Sequence, residues 1–243
     1  MSTSKTKNTL PLFSLLLLSF FANSVYANVI IHSTRIIYPE NEKEIVVSLE
    51  NKGTKPALVQ SWIDDGNTNA KIKQMDVPFI ILPPVSRIEP SQGQSLRISY
   101  TGKSLPADRE SVFWFNNLDI PPASENKSGN EMQMAFRSRI KLFFRPNAIK
   151  GTTSNEAVEM LLVTYPDEKR KKINIQNNSP LYITISSVDI LRGEKTVTSL
   201  EGKMIPPFSS ESYVTKEIAS GEGYTTVISY INDYGAKVKK KFN

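Results

Sequence analysis

The chain consists of short stretches in which apolar and polar residues alternate, and most stretches end at glycine, proline, asparagine or aspartate. A period of two is typical of strands with one buried face, and strands separated by turns at regular spacing are typical of an antiparallel β-sandwich. Helical periodicity is nearly absent. The stretches of the first half are NVIIHSTRIIY, KEIVVSLENKG, KPALVQSWIDDG, FIILPPVSRIEP, QSLRISYTG and SVFWFNNLDIPP. The sequence therefore predicts an all-β protein.

A second set of such stretches begins at Glu156 and comprises EAVEMLLVTY, KKINIQNNSP, LYITISSVDIL, SSESYVTKEI, GYTTVISYINDYG and KVKKKF. Because a β-sandwich takes about 100 residues, the chain is long enough for two. The intervening NAIKGTTSNE is the natural hinge, which places one domain at 28–147 and the other at 148–243. The hinge is short, so we expect a cleft between two domains that do not tumble independently.

Residues 1–27 have the features of a secretory signal peptide. Lys5 and Lys7 precede the apolar run Leu10–Phe21, and small residues follow up to Ala27. The run is shorter than the about 20 residues that a membrane span requires. We predict cleavage after Ala27 and export of the rest of the chain. The chain contains no cysteine, and export without disulfides favours the bacterial periplasm.

The residue types exclude several kinds of catalytic site. With one histidine, His32, and no cysteine, the chain cannot build a Ser-His-Asp triad or a multi-histidine or thiolate zinc site unless a second chain contributes. Asp64 with Asp65 and Asp108 with Glu110 resemble carboxylate pairs, but the first pair precedes a glycine in a predicted turn and the second precedes a strand. No phosphate-binding or calcium-binding loop is present. We therefore predict no catalytic residue, no metal, no cofactor and a binding function.

The stretch EMQMAFRSRIKLFFRP has two unlike faces. Its even positions are mostly apolar and its odd positions mostly basic, which predicts a strand. Periodicity alone favours a core face for the apolar positions. However, Met132 and Met134 stand near the start of a basic ribbon, and unbranched methionine adapts to several partners better than it specifies one core. The pattern leaves a core strand and a binding strand both open.

Three stretches carry a resemblance to a known family: LPADRESVFWFNNLDIPP at 105–122, FRSRIKLFFRP at 136–146 and YINDYGA at 230–236. Together they resemble the PapD-like periplasmic chaperones of the chaperone–usher pathway, which assemble bacterial pili and fimbriae. The resemblance covers essentially the whole chain after residue 27. It implies two immunoglobulin-like sandwiches in an L or boomerang arrangement, with the substrate in and beside the interdomain cleft, and it implies no ATP.

The resemblance also implies a role for the two-faced stretch. Pilus subunits of this pathway lack the last strand of their own sandwich, and the chaperone lends one. Met132, Met134 and Phe136 stand where the family has the alternating apolar side chains that fill the open groove of the subunit. The mode is β-strand addition, in which main-chain hydrogen bonds give affinity and alternate side chains give selectivity.

Two further groups of residues match the family pattern. Arg35 and Lys141 match the pair in the cleft that holds the terminal carboxylate of the subunit, and a carboxylate suits two positive groups at a domain junction. Glu110, Arg145 and Asp233 match a charge network that sets the angle between the domains. Each of these residues taken alone would be interpreted as a solvated surface charge.

The expected partners follow from the resemblance: pilus or fimbrial subunits and an outer-membrane usher. The loop at 122–131 is short, which places the chain in the short-loop branch that is usually linked to rod-like pili. An unpaired apolar strand is an association hazard, so a homodimer that caps it in the free protein is compatible with the sequence. Without Lys5 and Lys7 of the signal peptide, the net charge of +6 falls to about +4, which is mild, and the lysines are spread, so we expect no nucleic-acid partner.

Two other functions compete with the chaperone. The first is a periplasmic adhesin or ligand-binding module made of two sandwiches, which would not need Arg35 and Lys141 to converge. The second is a carbohydrate-active enzyme, for which the sequence lacks a pair of carboxylates on facing strands; a cleft with no two carboxylates within about 10 Å would exclude it.

Overall fold

The computed structural model describes residues 29–68, 75–122, 134–166, 172–215 and 223–242. The signal peptide with its cleavage site at Ala27, Met132 and most of the loop at 122–131 lie outside these ranges, so those sequence predictions stay predictions. Strands make up most of the described chain, which confirms the all-β prediction. The buried apolar residues form two separate cores, one before residue 145 and one after residue 156.

Nine strands form the N-terminal sandwich: β1 (Val29–Ile31), β2 (Arg35–Pro39), β3 (Glu44–Asn51), β4 (Ala57–Asp64), β5 (Phe79–Leu82), β6 (Val85–Ile88), β7 (Gly93–Tyr100), β8 (Ser111–Ile120) and β9 (Phe136–Arg145). One sheet has the order β1-β3-β7-β5 and the other β2-β9-β8-β4-β6. All pairs are antiparallel except β2 with β9, which run parallel. The predicted stretch NVIIHSTRIIY thus forms two strands, and the chain passes between the sheets at residues 32–34.

Aromatic side chains from both sheets fill the N-terminal core. Tyr38 and Phe144 are almost fully buried and stack with ring centroids 6.1 Å apart, and Phe79 meets Tyr38 edge-on at 5.5 Å. The Tyr38 hydroxyl accepts a hydrogen bond from the backbone N–H of Tyr100 at 3.0 Å, which joins the two sheets. The core therefore places β2 and β9 firmly side by side.

A 3-10 turn (Asn147–Ile149) follows β9 and leads into the C-terminal domain. That domain comprises one helix and eight strands: α1 (Ser154–Glu159), β10 (Leu161–Thr164), β11 (Lys172–Asn177), β12 (Ile183–Arg192), β13 (Lys195–Glu201), β14 (Met204–Ile205), β15 (Ser210–Val214), β16 (Tyr224–Ile231) and β17 (Lys237–Phe242). Its sheets have the orders β10-β11-β15 and β13-β12-β16-β17, with β14 beside β12. Neither helical segment in the described ranges is long and apolar enough to cross a membrane.

Two local predictions for the C-terminal domain were wrong or incomplete. The stretch EAVEMLLVTY begins as helix α1, because Thr153 caps it and exchanges hydrogen bonds with Glu156 in a capping box. The helix buries Ala157 and Val158. Strands β13 and β14 were not predicted, because β13 is an edge strand with mostly polar, exposed residues and β14 has only two residues.

One asparagine at the end of a strand shapes the connection in each domain. Asn51 ends β3, and its amide donates to the carbonyls of Lys55 and Ile88 at 2.9 Å each. Asn177 ends β11, and its amide donates to the carbonyl of Leu181 at 2.8 Å. Both asparagines are fully buried. A buried amide that satisfies several backbone groups explains how these loops turn inside the sandwich without unpaired carbonyls.

We expect Asn177→Ala to lower the free energy of unfolding by about 3 kcal/mol, because it leaves the buried N–H of Ser179 without its acceptor and removes one of the donors to each of the carbonyls of Leu181 and Pro206. Urea unfolding measures the loss. Asn174→Ala is the matched control on the same strand, and it should change stability by less than about 0.5 kcal/mol. Equal losses in the two variants would contradict this role of Asn177.

Candidate functional site

The two halves of strand β9 pair with different numbers of neighbouring strands. It pairs with β8 along its length, from Phe136 opposite Asp119 to Phe144 opposite Ser111. Strand β2 pairs with it only from residue 141 to Arg145. In the described part of the chain, the half from Phe136 to residue 140 therefore has a ladder on one edge and none on the other. Such an edge can accept a further strand.

The apolar face of β9 changes from buried to exposed along the strand. Leu142 and Phe144 belong to the N-terminal core and are at most 1% exposed. Ile140 is partly buried against the same core. On the same face, Phe136 is 42% exposed, and Met134, just before the strand, is 55% exposed. The exposed apolar side chains and the unpaired edge thus occur in the same part of the chain.

Arg35 and Lys141 lie directly opposite each other in the parallel register of β2 and β9. Arg35 donates from Nη1 to the carbonyl of Ile231 at 3.0 Å, so it also contacts the second domain. Its guanidinium carbon lies 5.4 Å from the centre of the Phe143 ring. The Arg35 Nε is buried and has no hydrogen-bond partner among the described residues.

The electrostatics of this pair favour an anion. Burial lowers the pKa of Arg35, against the raising effect of the Asp233 and Glu110 charges. Burial also lowers the pKa of Lys141, and the charge of Arg35 lowers it further. Neither cation forms a salt bridge with any carboxylate in the described ranges. Two half-buried cations with free donors can bind a carboxylate through charge-assisted hydrogen bonds.

Arg145 joins the two domains through two carboxylates. Its Nε donates to Glu110 Oε1 at 2.9 Å, and its Nη1 and Nη2 each donate to an oxygen of Asp233 at 3.0 Å. Glu110 Oε2 accepts a hydrogen bond from the backbone N–H of Tyr182 in the second domain at 2.9 Å. Burial alone would lower the pKa of Arg145, but the hydrogen bonds and charges of Asp233 and Glu110 outweigh it and raise that pKa.

The network is supported by ring contacts across the domain junction. The rings of Phe143 and Tyr182 lie 5.9 Å apart, and the guanidinium of Arg109 lies 5.1 Å from the centre of the Phe208 ring. The structure therefore brings the three predicted network residues into direct contact. It also places the two cationic residues predicted to hold a carboxylate opposite each other, beside the same junction.

Asp64 has contacts that its sequence context does not reveal. The sequence predicts that Asp64 and Asp65 are turn residues, and the backbone N–H of Gly66 does donate to Asp64 Oδ1 at 2.8 Å. However, Asp64 is fully buried at the end of β4 and also forms salt bridges with Arg137 and Arg139 of β9. The alternating arginines of β9 were the available signal, because two cations on one strand face need a counter-charge.

The remaining candidates have local partners. His32 lies 2.9 Å from Glu50 through Nε2, and it is half exposed. Asp108 forms a salt bridge with its neighbour Arg109 at 2.7 Å. No group of three histidine or acidic side chains within the described ranges has the arrangement of a metal site.

Two family models match the chain. "Pili and flagellar-assembly chaperone, PapD N-terminal domain" matches residues 28–150, and "Pili assembly chaperone PapD, C-terminal domain" matches residues 156–242. The two matches are adjacent and together cover most of the chain.

Similar proteins match nearly the whole length. The chain is 39% identical over 239 residues to the probable fimbrial chaperone YadV of Escherichia coli strain K12, with 96% of each chain covered. The crystal structure of YadV has a TM-score of 0.74, with 89% of this chain and 99% of that chain covered. The identity to the chaperone protein HifB of Haemophilus influenzae is 42% over 220 residues, with 88% and 87% covered.

A structure of a complex is also similar. The Salmonella enterica SafB chaperone, solved with the SafA pilin, has a TM-score of 0.73 at 27% identity, with 91% of this chain and 98% of that chain covered. The family models, the two sandwich cores and the similarity along the whole chain agree. This chain belongs to the PapD-like family of pilus assembly chaperones.

Proposed function

We propose that this protein is a periplasmic chaperone that binds pilus subunits by adding the first half of β9 to their incomplete sandwich. The observation that carries the proposal is the first half of β9, where one backbone edge is unpaired and the apolar side chains of Met134 and Phe136 are exposed. The two features are what strand addition requires: free backbone groups for a ladder and alternating side chains for a groove. The SafB–SafA complex shows a similar chaperone with its pilin.

The bound subunit is held in register by its C-terminal carboxylate. The pairing of β2 with β9 begins at Arg35 and Lys141, and the edge of β9 before this point is unpaired. A carboxylate bound to these two residues therefore lies at the end of the unpaired edge. A strand that slips by one residue presents its other face, and an anchored end prevents the slip. A two-sandwich adhesin is the competing function, but it gives no reason for two half-buried cations to converge at this edge.

The remaining parts of the proposal concern location and delivery. A signal peptide cleaved after Ala27 exports the chain to the periplasm, and the loaded chaperone delivers its subunit to an outer-membrane usher. The domain limits at 28–147 and 148–243 separate a subunit-binding domain from a supporting one. In the absence of subunit, the unpaired half of β9 gives two copies of the chain a surface with which to cap each other as a homodimer.

Met134→Glu combined with Phe136→Glu should abolish capture of a co-expressed fimbrial subunit and leave the chaperone folded, because both side chains are exposed in the free protein. Co-purification measures capture, and thermal unfolding checks the fold. Val46→Glu with Ile80→Glu is the matched control, since these apolar side chains are equally exposed on the other sheet. A donor-strand variant that fails to fold would show that the two residues belong to the core.

Lys141→Ala should weaken subunit binding at least tenfold, because a hydrogen bond to a charged group contributes about 1.5 to 3 kcal/mol. Arg35→Ala should have a similar effect. Removal of the last residues of the subunit should give the same loss, and the losses of the chaperone and subunit changes should not add. Lys195→Ala, an exposed lysine of the second domain, is the control. Strictly additive losses in the double-mutant cycle would mean that the carboxylate binds elsewhere.

Glu110→Ala should lower the free energy of unfolding by about 3 kcal/mol, because it leaves part of the buried Arg145 charge and the N–H of Tyr182 unpaired. Small-angle scattering should show a broader distribution of interdomain angles. Asp108→Ala is the control, because it removes an exposed carboxylate two residues earlier. It should change neither the free energy of unfolding nor the distribution of interdomain angles. If the two variants unfold and scatter alike, Glu110 does not lock the domains.

A further inference from the structure

The first half of β9 needs support that its ladder does not supply. It has hydrogen bonds to β8 on one edge only, and its apolar side chains make few core contacts. Strand segments with one ladder and little packing open easily. A donor strand must nevertheless be extended and in plane when a subunit arrives, because the ordering of a loose segment reduces its affinity.

The face of this segment opposite the apolar side chains, which we call the outer face, carries a cluster of side chains that can supply this support. Arg139 lies opposite Asn116 of β8, which in turn lies opposite Trp62 of β4. Arg139, Asn116 and Trp62 therefore form one row of side chains across the three strands β9, β8 and β4. The guanidinium of Arg139 lies 4.6 Å from the centre of the Trp114 ring, and that of Arg137 lies 5.0 Å from the centre of the Trp62 ring.

Both arginines converge on the buried carboxylate of Asp64. Arg139 donates to both oxygens of Asp64, and Arg137 donates from Nη2 to Oδ2 at 3.2 Å. Asn116 donates to Asp64 at 2.7 Å and accepts two hydrogen bonds from Arg137, at 2.7 and 2.9 Å. Burial alone would raise the pKa of Asp64, but the hydrogen bonds from Arg139, Asn116 and the N–H of Gly66 outweigh it and lower that pKa.

The turn after β4 completes the cluster. A Cβ on Gly66 would come within 2.9 Å of the Trp114 ring, and the φ of +108° at Gly66 is one that other residues rarely adopt. The turn therefore packs against the ring on which Arg139 stacks. The two arginine side chains are only 33% and 25% exposed, and the Nε and Nη2 groups of both donate hydrogen bonds within the domain. They are better suited to holding β9 than to contacting a partner.

We propose that Asp64, Arg137 and Arg139 are positioning residues that hold the first half of β9 extended in the sheet before a subunit binds. The inference rests on the proposed function of β9 as the donor strand. Asp64, Arg137 and Arg139 together form what we call the clamp. The clamp takes the place of the missing second ladder, because it connects the first half of β9 to β4 through the polar face of the sheet. It leaves the unpaired edge and the apolar face of the strand free. In the complex the strand of the subunit supplies the second ladder, so the clamp matters most for capture.

The test uses the conservative double variant Arg137→Lys with Arg139→Lys, which keeps the charges and loses the planar forks and stacking. Asp64→Asn is the second variant, and Arg87→Lys is the control, because Arg87 lies on edge strand β6 of the same sheet and pairs with Glu89. Amide hydrogen exchange of the full chain is measured residue by residue. Binding of a co-produced subunit, released and recaptured, gives the association and dissociation rate constants.

Among residues 136–140, the backbone amides that donate to β8 should exchange at least tenfold faster in both clamp variants, while those of residues 142–145 stay within twofold. The association rate constant should fall at least threefold with little change in dissociation, because only the fraction of extended strand can bind. Three outcomes would each overturn the proposal. The first is unchanged exchange of these amides, and the second is equal acceleration of exchange throughout β4, β8 and β9. The third is faster exchange with an unchanged association rate constant. If the unmodified chain captures no subunit, the proposed function fails, and the exchange data still decide whether the clamp holds the strand.

Discussion

Arg145 is the residue on which the arrangement of the two domains depends. It is 8% exposed, and its guanidinium binds Glu110 in its own domain and Asp233 in the other. A buried charge is stable only when its donors are paired, and removal of one partner is costly. A displacement of the second domain would separate Arg145 from Asp233, which is why we propose that this charge holds the two domains in place.

The same contact lies close to the pair Arg35 and Lys141. Lys141 lies four residues before Arg145 on the same face of β9, and Arg35 is its neighbour on β2. Arg35 donates to the carbonyl of Ile231, two residues before Asp233. The end of β16 and the turn between β16 and β17 therefore contact both Arg35 and Arg145. The contacts of Arg35 and those of Arg145 thus depend on the same segment of the second domain.

Strand β9 lies in three environments along ten residues. Leu142 and Phe144 fill the core, Lys141 and Arg145 face the domain junction, and Phe136 is exposed beside an unpaired edge. In the proposed role of β9 as the donor strand, an edge that is lent to a subunit cannot also stabilise the free chaperone. The salt bridges of Asp64 on the outer face stabilise the segment without occupying that edge, which resolves the conflict between a rigid strand and an available one.

The sequence by itself determined the fold class and the two faces of β9, because period-two alternation decides which side chains share a face. Similarity to the family pattern indicated Arg35, Lys141, Glu110, Arg145 and Asp233, and the structure brings these residues together, although their roles in binding stay predictions. Local capping overrode the strand pattern at α1, and the edge strand β13 had no apolar face to reveal it.

The tertiary structure alone decided two features of β9. These are the edge that is left unpaired and the carboxylate that its arginines contact. Both depend on strands distant in the chain: β2 stops pairing at residue 141, and β4 lies two strands away with Asp64 at its end. Periodicity along one segment contains no information about such neighbours.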